Sequence, residues 1–135
     1  MAREQVGRIL VVESDATLRA ELQTQLSALG HLVETASTAT DALELMETSM
    51  PDVLLIGLDL DAIDGFGLLA QAKALLPSAS LIALGASDST DLAVEAMRAG
   101  ADRCLTRPVR ADALALIIQR SLEKPIHARA EREAR

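Results

Sequence analysis

Aromatic side chains are almost missing from this chain. Phe66 stands alone, with no Trp and no Tyr among 135 residues. That argues against binding single-stranded nucleic acid by base stacking, which needs a platform of rings. Positive charge is also short, with 13 Lys and Arg against 20 Asp and Glu and a net charge of −7. Such a chain repels phosphate backbones, so no nucleic acid is expected as a partner of this domain. Cys104 is the one cysteine, and no internal disulfide is possible. Two separate histidines and one cysteine do not make a metal cluster, and His31 and His127 are expected at the surface. Long apolar runs are lacking too: none approaches the roughly 20 residues of a membrane span. The opening Met1–Val6 has no apolar core of a secretory signal. The expectation is a soluble cytoplasmic protein with no membrane partner.

What the chain has is apolar residues in short, regularly spaced runs. Half of all residues are apolar, enough for one domain with a sizeable core. The central run is Val53–Ile56, four apolar residues of which two are β-branched, as suits a strand covered on both faces. Gly57 marks its end. Asp64 and Gly65 close a turn, and Asp64 can cap a helix through Phe66, Leu69, Ala72 and Leu76. Arg8–Val12 reads as a first buried strand, and Ser14 or Asp15 as the cap of a helix with Leu18, Leu22, Leu26 and Leu29 on one face. Leu32–Ala36 is a second strand, polar enough for a sheet edge. Thr38 then caps a helix that turns Ala39, Ala42, Leu43 and Met46 inward.

The second half repeats the alternation. Leu81–Leu84 is a fourth strand. Ser87 or Ser89 opens a helix with Ala93, Ala96 and Met97 inward, ending at Gly100. Arg103–Thr106 is a fifth strand, and Asp112 begins a last helix through Leu114, Ile117, Ile118 and Leu122. Strands alternating with helices predict an α/β fold with a parallel sheet, since parallel strands need crossover helices. Residues 1–123 form this domain. Pro125 separates a charged tail, 124–135, which is either a frayed helix end or a linker helix toward an output domain.

Several stretches, in order, resemble the receiver domain of two-component response regulators. Ile9–Asp15 is similar to that family's first strand and acidic turn, and Pro51–Ile56 to the approach to its phosphorylated Asp. Ile63-Asp64-Gly65 is similar to its Met-Asp-Gly turn, and Gly100-Ala101-Asp102 and Arg107-Pro108 to two later signatures. The resemblance implies a flavodoxin-like, doubly wound five-stranded sheet of order 2-1-3-4-5 with five helices. It also implies where the family's active residues fall. The acidic pair that helps hold Mg²⁺ falls on Glu13 and Ser14, and the phosphoacceptor Asp on Gly57. The hydroxyl that contacts the phosphoryl group falls on Gly85, the Lys on Arg107 and the aromatic switch residue on Cys104. Each of these positions departs from the family pattern.

Phosphoryl transfer to a carboxylate needs the nucleophile, Mg²⁺ and a cation to neutralise the moving charge. Gly57 has no oxygen to offer, and Gly85 has no hydroxyl. Mg²⁺ binding is expected to be lost, since Glu13 is left without the Asp it would share the metal with. The expectation is a pseudo-receiver that signals through protein contacts without phosphorylation, with a Glu13–Arg107 ion pair across the emptied pocket. Asp59 is the alternative phosphoacceptor. It points the same way as Gly57 in an extended chain, but about 6–7 Å further along, too far to meet Glu13 and Arg107 unless the loop rearranges. A third reading uses the Gly57–Gly85 gap as a small-molecule pocket.

No nucleophile–base pair suggests an enzyme. For partners, the resemblance implies contacts or homodimers through the face of the fourth helix, fifth strand and fifth helix. Leu116, flanked by Arg120 and off the core stripe, is the candidate anchor there.

Overall fold

The computed structural model describes residues 6–59, 65–85 and 90–133, with side chains as far as Glu123. The expected caps Asp64, Ser87 and Ser89, and the His127 side chain, lie outside the described residues. The elements alternate in chain order: β1 (Arg8–Val12), α1 (Ala16–Ala28), β2 (Leu32–Ala36), α2 (Ala39–Ser49), β3 (Val53–Gly57), α3 (Gly65–Leu75), β4 (Ser80–Gly85), α4 (Thr90–Ala99), β5 (Arg103–Thr106) and α5 (Ala111–Glu133). All neighbouring strands pair parallel, in the order β2-β1-β3-β4-β5. This is the flavodoxin-like arrangement the resemblance implies.

Two apolar layers sandwich the sheet. Leu10, Val12, Leu54 and Ile56 face α2, α3 and α4, while Ile9, Val11, Val53 and Leu55 face α1 and α5. β3 contributes to both layers, which is why its run is apolar without alternation. Each of its large side chains is worth about 1.5–3 kcal/mol when fully buried. Local chemistry sets the helix ends. The Asp15 carboxylate accepts from the Thr17 and Leu18 N–H groups, and Thr38 Oγ1 accepts from Asp41 N–H.

Three side chains sit differently from their sequence reading. Leu29 and Met97 are exposed, and the inward residues of α4 are Ala96 with Leu92 and Ala99 partly buried against it. Leu29 is the cap residue of α1, where the helical period ends, and Met97 lies round the helix from the Ala96 line. His31 is buried, contrary to the expected surface position. Its Nδ1 accepts from Gly7 N–H at 3.2 Å. A neutral imidazole can bury because it satisfies a backbone donor in this way.

The last helix continues through Pro125. Proline has no N–H, so the Ser121 C=O loses its helical partner. The buried Ser80 hydroxyl donates to that carbonyl instead, at 2.9 Å.

Candidate functional site

The carboxyl ends of β1, β3, β4 and β5 converge, as in other open parallel sheets, where ligands bind at the point where strand order reverses. Glu13 follows β1 directly and is held by the sheet: its N–H donates to Ala36 C=O. Its side chain is 1% exposed. Arg107 follows β5, and its N–H donates to the Gly85 C=O at the end of β4. The Arg107–Pro108 peptide bond is cis.

Glu13 and Arg107 meet across the sheet end. Arg107 Nη2 donates to Glu13 Oε1 at 2.5 Å, with the guanidinium side chain 24% exposed. The other carboxylate oxygen accepts from Asp15 N–H at 3.0 Å. Both Glu13 oxygens are therefore engaged. A near-buried carboxylate is tolerable here because a cation and a backbone donor replace its water.

This pair lies directly over Gly57. A Cβ placed on Gly57 would stand 2.7 Å from Glu13 Oε1 and 3.4 Å from Arg107 Nη2. On the Gly57 side, the expected Gly57–Gly85 gap is thus filled by two side chains of the chain itself. Gly65 matters for a related reason. A Cβ there would come within 2.5 Å of the Gly57 carbonyl oxygen and the Leu58 Cα, so only glycine lets α3 begin against the end of β3.

Asp59 reaches the site, contrary to the distance expected from an extended strand. Its Oδ2 lies 3.8 Å from Arg107 Nη1, with the side chain 66% exposed. The backbone explains the difference. Leu58 N–H still donates to Leu84 C=O, but beyond it the Ser14 hydroxyl donates to Asp59 C=O at 3.0 Å and holds the chain over the end of β1. Arg107 then spans the remaining space with its long fork.

Arg19, which the sequence did not single out, donates from Nη1 to Glu13 C=O at 2.8 Å and Ser14 C=O at 3.4 Å. It ties α1 to the acidic turn. Its only sequence signal was a single cation one turn into an otherwise uncharged helix face. Cys104 is partly buried against the α2–α3–α4 layer, and burial pushes its thiol up from the ordinary value. Leu116 is 55% exposed on α5, and Arg120 is exposed on the same helix.

Among the described residues, no group of three or more His, Cys, Asp or Glu is placed to hold a metal ion. No helix among them is long and apolar enough to cross a membrane.

Comparison with known proteins gives the architecture a lineage. Residues 9–119 match the model of the response regulator receiver domain. The regulatory protein LuxO of Vibrio vulnificus is 32% identical over 114 residues, covering 84% of this chain and 25% of that protein. The transcriptional regulatory protein PhoP of Escherichia coli is 35% identical over 101 residues, covering 75% of this chain and 45% of PhoP. The chain therefore spans a quarter to under half of these relatives. Among solved structures, NtrX from Brucella abortus superposes with a TM-score of 0.91 at 28% identity, over 97% of this chain and 30% of NtrX. Sequence motifs, strand order and these matches agree: the chain belongs to the response regulator receiver domain family of two-component signalling.

Proposed function

We propose that this domain is a pseudo-receiver, a signalling module that works through protein contacts without aspartyl phosphorylation. One observation carries the reading. The Glu13–Arg107 pair occupies the space that a side chain at Gly57 would need. Gly57 supplies no nucleophile, and Glu13 and Arg107 stand where a side chain at that position would project.

The donor set does not fit Mg²⁺. The metal takes near-octahedral oxygen ligands at about 2.1 Å, usually with one or two carboxylates. Here Ser14 and Gly57 stand where the family has acids. Both oxygens of Glu13 already accept, from Arg107 and from Asp15 N–H. A metal would have to strip a buried carboxylate of its cation.

Output then belongs to surfaces whose shape does not answer to phosphate. Cys104 and Gly85 remove the aromatic ring and hydroxyl of the family's switch, leaving the face of α4, β5 and α5 in one state. Leu116 on that face is the contact we assign to a protein partner, an output domain or a second copy, with Arg120 beside it.

The test is acetyl phosphate or beryllofluoride with Mg²⁺, followed by intact mass and backbone amide spectra. The expected result is no covalent adduct and no spectral change. A phosphoryl adduct would overturn the proposal, and its position would matter. Asp59 supports a second reading: its carboxylate is exposed and lies 3.8 Å from Arg107 Nη1, so an adduct there, lost in Asp59→Asn, would make this an active receiver with a displaced acceptor.

A further inference from the structure

The sheet has two edges, β2 and β5. In a parallel ladder, successive residues turn their N–H and C=O to opposite sides. Leu32 N–H donates to Gly7 C=O, and Ala36 C=O accepts from Glu13 N–H, so the even-numbered residues of β2 bond to β1. Val33 and Thr35 accordingly present their N–H and C=O outward. Alongside them runs a groove of about 380 Å³ lined by Thr35, Asp41, Glu44, Leu45 and Thr48.

Charge on β2 and α2 themselves has one sign, and the exposed Arg8 of β1 stands opposite Leu32 at the start of the strand. No Lys or Arg occurs from residue 20 to residue 72. Glu34 shares a sheet face with Ala36, the face that α2 covers, and Glu34, Asp41, Glu44 and Glu47 are all exposed. The β5 edge differs: Arg103 is exposed there, and nearby Arg110 pairs with Asp112 at 3.0 Å. Two copies joined β2 to β2 would set acid against acid, which disfavours a second copy of this chain as the occupant.

We propose that the β2 edge docks an extended, lysine- or arginine-bearing segment of a partner protein as an added strand. The segment's backbone bonds to Val33 and Thr35, which supplies affinity independent of sequence. Its basic side chains on the α2 side meet Glu34, Asp41 and Glu44, which selects charge. Exposed Leu32, on that same face, offers an apolar contact at the start of the strand. The acids have a second consequence. They block the edge-to-edge association of like copies that an open strand otherwise invites.

The test adds a peptide of alternating Lys and Val to the whole chain, with an alternating Glu and Val peptide as control. Amide hydrogen exchange is the readout. At saturation, exchange at Val33 and Thr35 is expected to slow at least about tenfold, while Leu32 and Glu34 stay as they were. Binding weakens as salt rises. Asp41→Lys with Glu44→Lys, both exposed, weakens it at least about tenfold. Thr35→Pro deletes one outward donor and leaves the β1 ladder untouched, so it should also weaken binding. Leu116→Glu, on the opposite side of the molecule, should not. Unchanged exchange at Val33 and Thr35 under saturating peptide would overturn the proposal. So would equal binding of the acidic control, or full binding by the charge-reversed variant.

Discussion

Glu13 and Gly57 depend on each other. A side chain at Gly57 pushes against the Glu13 carboxylate, and an acidic one adds like charge beside it. Gly57→Asp is therefore expected to destabilise the domain by about 1–3 kcal/mol, read from urea unfolding. Pairing it with Glu13→Gln should recover part of that loss, because the second charge is gone. A Gly57→Asp variant as stable as the parent would show that Glu13 moves aside freely. Cys104 gives a pH-dependent prediction of its own. Burial raises its thiol above the ordinary 9.0, so the neutral form is favoured in the folded state. The stability this contributes is complete below the unfolded thiol's value and is lost as pH climbs through the folded one. At neutral pH the thiol is not ionised, and iodoacetamide should alkylate it more slowly in the folded domain than in urea. Equal rates would mean that the site is open to reagent.

At the scale of elements, α5 carries the clearest test. Pro125 leaves the Ser121 carbonyl without a helical donor, and Ser80 at the start of β4 supplies one. The bond is buried, so its loss strands an acceptor. Ser80→Ala should cost about 1–2 kcal/mol. Pro125→Ala restores a backbone N–H at the right place in the helix. In that background Ser80→Ala should cost distinctly less, and a double-mutant cycle measures the coupling. Additive effects would mean that Ser80 and Pro125 do not share the carbonyl. The packing of α4 teaches a related point. Ala93, Ala96 and Met97 and the observed Leu92, Ala96 and Ala99 are both acceptable stripes at helical spacing. Periodicity alone could not choose between them, because a short helix rich in Ala has apolar residues on more than one side.

Over the whole molecule the acids are unevenly placed, with a long stretch free of Lys and Arg running from α1 to α3. Self-repulsion there is exposed to solvent and screened by salt, whereas the Glu13–Arg107 pair is largely shielded. Moderate salt should raise the melting temperature, by about 2–4 °C for a gain near 1 kcal/mol in a domain of this size. A fall would place the balance with attractive surface pairs instead. The sequence alone determined the alternation of strands and helices, the two-sided burial of β3, the cap at Thr38, and the lack of a side chain at Gly57. These follow from periodicity and from which atoms a residue possesses, and both are local properties. The Glu13–Arg107 pair is already expected from where the resemblance places the two residues; only the tertiary structure decided that Asp59 comes within reach of Arg107, that His31 is buried, and that β2 keeps an open acidic edge. Those depend on where loops bend and which strands become neighbours. Residues far apart in the chain settle them together, so no single stretch of sequence contains the answer.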